Sequence, residues 1–331
     1  MTRVFLVLGL LGACRNDPTP PQLLDTGWFT EDDAPGCPHE VVSTLPEDGT
    51  GGWFYLDVPR VFTGTTDASG YEAWLADAEG RRIATTTVWS EADSAFDLVP
   101  DEPLPPGTSF QLVVQDCIRT TEISFATSGF GQALTDEGAN LAGRTFRLDL
   151  GGADWIRPEG LGPVIGSFLT EPILLGVVYA DDSNIDLLGA PSQVNSLGQV
   201  SQAQEPTWDF PLAEFDPSRP TFVTRADAIE LVIRDSGVEG PIPVTEFVLT
   251  GTLSADGTRL GGGTLAGVAD TREFSDAFFG TENALCLLSE SSFQVACAPC
   301  ESDGEPFCLA IENRNLSGTQ QEGLTLVNRA P

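Results

Sequence analysis

Four thiols, Cys286, Cys297, Cys300 and Cys308, form the densest group of reactive side chains in this sequence. Cys297-Ala298-Pro299-Cys300 has the spacing of a dithiol redox pair. Such a pair needs its first thiol at a helix N-terminus, after a strand of a βαβ unit, where the dipole lowers the thiol pKa. Here the motif follows Phe293-Gln294-Val295-Ala296 and precedes the polar run Glu301-Ser302-Asp303-Gly304, which offers no such helix start. Zinc would require two paired-cysteine knuckles, and only one is present. Structural disulfides are therefore the expected use. Of the three pairings open to four cysteines, Cys286–Cys297 with Cys300–Cys308 is favoured, because it joins helix to loop and loop to last strand.

Other candidate chemistry is thin. The single histidine, His39, lies between Pro38 and Glu40, so any histidine-based nucleophilic device would have to be built on it. Asp181-Asp182-Ser183-Asn184-Ile185-Asp186 offers oxygen ligands but lacks the spaced acids, central glycine and terminal glutamate of a calcium loop. A solvated turn is expected there. Gly160-Leu161-Gly162-Pro163-Val164-Ile165-Gly166 has glycines at the wrong interval for a dinucleotide fingerprint, and its proline argues for a loop. No pair among the 49 carboxylates is singled out by spacing for glycoside hydrolysis. No catalytic residue, metal ligand or cofactor is expected, and the chain is read as a non-enzyme.

The formal charge of the 331-residue chain is −33, and every fixed positive side chain is an arginine. A surface this acidic repels phosphate backbones, which argues against nucleic-acid binding. Thr2-Arg3, the apolar run Val4 to Ala13 and the small pair Gly12-Ala13 follow the grammar of a secretory signal, too short to span a bilayer. With Cys14 directly behind, Leu11-Gly12-Ala13-Cys14 resembles the lipobox of bacterial lipoproteins. That resemblance implies a signal peptide over 1–13, acylation of Cys14 and attachment through more than one fatty chain, enough for stable anchoring. Arg15 rather than aspartate behind the cysteine points to the outer membrane by the sorting pattern of enteric lipoproteins. Residues 14–36, with four prolines and five acids, read as a tether holding the first domain on the order of 25 Å from the anchor. Six cysteines besides Cys14 suit an exported, disulfide-bonded chain. Cys37 and Cys117 bracket the first domain, and closing that loop would contribute roughly 4–5 kcal/mol.

The elements that must position these residues read as mainly β. Residues 37–130 carry short strands broken by turn signals, the pattern of a β-sandwich. Trp53 to Val61, Tyr71 to Ala76, Ile83 to Trp89 and Ile123 to Thr127 are strand candidates. Thr108 to Asp116 alternates, with Phe110, Leu112 and Val114 on one face. Residues 131–331 form a second β-rich domain carrying the four-cysteine segment 286–308. Arg144 to Leu150, Val164 to Ala180, Thr221 to Asp235 and Phe307 to Glu312 are strands. Val244 to Ser254 and Thr258 to Ala269 form a hairpin about Asp256-Gly257. Gly261, Gly262, Gly263 and Gly267 imply strong curvature or close backbone approach. Asp270-Thr271-Arg272-Glu273 reads as a capping box opening one helix, which runs to about Leu288 with a break at Gly280. The domain is expected to be a curved sheet or small barrel with one helix and a disulfide-rich end.

Leu45-Pro46-Glu47-Asp48-Gly49, then Pro100, Leu104, Gly107, Thr108 and Phe110 at one corner, then Phe125-Ala126-Thr127, resemble the SbsA-type bacterial immunoglobulin-like domain. The resemblance covers about 90 residues. It implies an immunoglobulin-like sandwich serving as spacer or adhesive module, with no catalytic residues to carry over. The expectation for the whole chain is a lipid-anchored envelope protein with a structural or adhesive role. Its expected partners are the membrane and a protein, glycan or small apolar ligand. The alternative is a lipid-binding protein whose C-terminal domain closes into a cup.

Overall fold

Two pleated sheets face each other across the first apolar core. In the computed structural model, residues 41–65, 70–116, 119–169, 171–235 and 238–330 are described. The expectations for the leader, tether, Cys14, Cys37, His39 and Cys117 lie outside these residues. The strands of the sandwich are β1 (Val41–Leu45), β2 (Thr50–Trp53), β3 (Arg60–Thr63), β4 (Glu72–Asp77), β5 (Arg82–Ile83), β6 (Thr85–Ser90), β7 (Ala95–Pro100), β8 (Ser109–Gln115) and β9 (Thr120–Thr127). One sheet runs β1-β3-β7-β6 and the other β2-β9-β8-β4-β5. Alternation along β8 buries Phe110, Leu112 and Val114 against Val61, Phe96 and Leu98 of the opposite sheet.

The corner before β8 is latched by Thr127. Its hydroxyl donates to the Pro105 carbonyl at 2.7 Å and accepts the Thr108 N–H at 2.9 Å. Trp53 to Val61 is not one strand. Pro59, with no N–H to give a ladder, separates β2 from β3, and the two fall on different sheets. The freed aromatics Phe54 and Tyr55 lie in the loop between them.

The second region contains β10 (Thr145–Asp149), β11 (Asp154–Arg157), α1 (Gly162–Phe168), β12 (Ile173–Ala180), β13 (Asn184–Val194), β14 (Val200–Gln202), β15 (Trp208–Asp209) and β16 (Ala213–Glu214). It continues through β17 (Thr221–Asp235), β18 (Val238–Leu253), β19 (Arg259–Asp270), α2 (Arg272–Phe279), α3 (Ala284–Phe293) and β20 (Cys308–Gln320). Strand order along the sheet is β14-β13-β12-β10-β20-β19-β18-β17, with β11 on β20 and β15 and β16 on β13. Irregular register in β18–β19 and β19–β20, around Thr250 to Leu265, curls it into a half-barrel. Among the described residues β17 pairs with β18 alone, so hydrogen bonding does not close the barrel.

The second apolar core lies against this sheet. Phe146, Phe247, Leu148, Leu175 and Leu249 fill it, with Phe210 stacked on Phe247 at a centroid distance of 5.9 Å.

Among the described residues, three helices replace the one expected. Val164 to Ala180 is not strand throughout, because α1 occupies its first part. Pro163 sits in the first helical turn, where its missing N–H breaks no intrahelical bond, so a residue that in sequence disfavours a helix start is accommodated there. The break at Gly280 is real: left-handed Gly280 (φ 77°) ends α2, and α3 restarts after Asn283. The capping box is absent, since the Thr271 hydroxyl donates to the Phe307 carbonyl at 2.8 Å instead. No helix among the described residues is long and apolar enough to cross a membrane.

Candidate functional site

The structure pairs Cys286 of α3 with Cys297, and Cys300 with Cys308 at the head of β20. Each end of the Cys297–Cys300 motif is thus committed to a different bridge, and no free dithiol or four-thiolate site remains in this state. The bridges fasten α3 and the loop behind it to the sheet. Asp181 is used locally. It accepts the N–H groups of Ser183 and Asn184 at 2.8 and 2.7 Å and the Tyr179 hydroxyl at 2.8 Å. Those bonds, the Ser183 N–H first, hold its carboxyl below the usual range and shape the β12–β13 turn. Asp256 plays the same part at the tip of β18–β19. The Ser254 hydroxyl and the Thr258 N–H hold its carboxyl down to about 2.

Two features that linear sequence did not disclose carry the remaining interest. The first is a joint between the sandwich and the half-barrel, built from aromatics set into glycine seats. Gly262, with φ +56°, lies under the Phe54 ring, and a Cβ there would come within 2.1 Å of it. Gly261 lies likewise under Phe130, and Gly131 under Tyr55. The Tyr55 hydroxyl shares a 3.1 Å hydrogen bond with that of Thr221. A backbone bond extends the seam, from Gly131 N–H to the Leu253 carbonyl. All of this lies within one compact unit spanning His39–Pro331.

Asp57 is caught in the joint. Burial pushes its carboxyl above 3.8, and the charge of Arg314 only partly offsets this. A carboxyl with a raised folded pKa contributes stability at low pH that is lost as pH rises through the folded value. Asp57→Asn escapes that loss. Urea titrations are expected to show the variant gaining on the wild type as pH climbs from about 3.8 towards neutrality. A difference independent of pH would contradict this.

The second feature is an apolar cavity of about 70 Å³ beneath the three helices. Trp155 of β11, Phe168 of α1, Leu231 of β17, Ala269 of β19, Phe274 of α2 and Ile311 of β20 contribute to its walls. Thr271 also lines it, but that hydroxyl is spent on Phe307. Phe168 packs edge-on to Phe274 and Phe278 at centroid distances of 5.6 and 5.9 Å, so α1 and α2 are knit over the opening by their rings. The cavity falls well short of the roughly 300–1,000 Å³ of a drug-sized pocket.

Comparison with known proteins finds no matching family model and no matching curated protein. One solved structure that the chain matches is the S-layer protein rSbsC(31-844). Identity is 7% and the TM-score 0.20, over 88% of this chain and 55% of that one. A likeness that weak carries no argument about fold or function.

Proposed function

We propose that this chain is an exported, non-enzymatic envelope protein, acylated at Cys14 and held at the outer membrane. In this reading it belongs with bacterial lipoproteins, and residues 37–130 are an SbsA-type immunoglobulin-like spacer. The spacer holds the half-barrel out from the anchor as a structural or adhesive module. The acidic tether and the signal-like run before Cys14 support the placement.

The observation that carries the spacer reading is the joint. A module that sets distance is useful only if its junction resists bending, and Phe54, Tyr55 and Phe130 seated on glycines make such a junction. Cell fractionation tests the anchoring. The chain is expected in the membrane fraction, and Cys14→Ser is expected to move it to the soluble extracytoplasmic fraction. Wild type found wholly soluble would overturn the reading.

A further inference from the structure

We propose that the cavity beneath α1, α2 and α3 binds the terminal methylenes of a single alkyl chain, whose polar end stays outside. This goes beyond the anchoring proposal and does not depend on it. The wall chemistry selects the ligand class. With the one lining hydroxyl engaged to Phe307, a polar group entering would lose its water without gaining a partner. The volume selects the size. A dry apolar cavity of about 150 Å³ accepts a benzene ring, so about 70 Å³ suits the last three or four carbons of a chain.

The mouth is marked by the lining residues that are only half-buried, Val164 and Phe168 on α1, Ile242 on β18 and Leu285 on α3. Phe279 packs on both Phe168 and Phe274 yet is 45% exposed, which continues the apolar path from the wall to the surface. The Cys286–Cys297 bridge sits directly beside Leu285 and fixes α3 over the site. The pocket is therefore preformed, and little ordering opposes binding.

The test uses the full chain carrying Cys14→Ser, so that no acyl group of its own competes, titrated with straight-chain 1-alkanols from propanol to octanol and followed by NMR shifts of lining methyl groups. Affinity is expected to rise about fourfold per methylene, as burial of each group dictates, and to level off once the cavity is full. Ala269→Leu, which fills the space, is expected to abolish the shifts. Leu231→Ala, which enlarges it, is expected to move the plateau to longer chains and admit benzene. Flotation with phosphatidylcholine vesicles separates the sources. Binding lost in Ala269→Leu assigns the chain to a membrane lipid, and alkanol binding without flotation assigns it to a free amphiphile. Affinity independent of chain length, or unchanged by both substitutions, would overturn the proposal.

Discussion

Gly262→Val is expected to destabilise the protein by about 3 kcal/mol and to loosen the sandwich from the half-barrel. Two costs add. A β-branched residue at φ +56° is strained by roughly 1–3 kcal/mol. Its side chain must also displace the Phe54 ring, which stands within 2.1 Å of the Cβ position. The costs separate in a double-mutant cycle. Phe54→Ala in the Gly262→Val background should recover the collision but not the backbone strain, leaving a coupling on the order of 1–2 kcal/mol. Urea unfolding reads the energies, and small-angle scattering reads the joint as a larger radius of gyration. A variant as compact as wild type would mean the glycine seat does not hold the two lobes together.

Arg234→Met is expected to cost about 3 kcal/mol, through stranded charge rather than lost packing. The Arg234 guanidinium, on β17, donates to Glu171 at 3.2 Å, to Glu205, to Glu239 at 3.3 Å and to the Ser192 carbonyl at 3.2 Å. Burial alone would lower its pKa, but the Glu171 bond and the charges of Glu205 and Glu239 outweigh that and raise it. Its side chain is only 19% exposed, so screening is limited at Glu171 and Glu205, whereas the more exposed Glu239 contributes less. Removing the cation leaves three carboxylates facing one another. Arg234→Lys should fall between, keeping charge but not the fork of donors. Urea unfolding reads both, and a lysine variant no more stable than the methionine one would point to packing instead.

What the sequence could disclose was local. Alternation in β8, the Asp256-Gly257 tip and the stop at Gly280 each depend on a few adjacent residues, and each is where the pattern put it. The glycines at 261 and 262 signalled curvature or close approach, and they serve both. Their partners, Phe54 and Phe130, could not be named, because only the folded path brings the β2–β3 loop to β19. Trp53 to Val61 misled for the same reason: its apolar run reads as a strand, yet Phe54 and Tyr55 leave the sheet to meet Gly262 and Gly131, and Leu56 and Val58 stay exposed. The cavity was hidden because its walls come from α1, α2, α3 and five strands, and no one segment carries its signature. Pro163 shows the opposite error, a breaker read without its position in the turn.

Metabolic labelling of growing cells with an alkyne-bearing palmitate analogue, with mapping of the tagged peptide, tests the central claim most directly. The account predicts a tag on Cys14 as the new first residue, with none on Cys14→Ser. A chain that is exported yet untagged, or tagged at another cysteine, contradicts it.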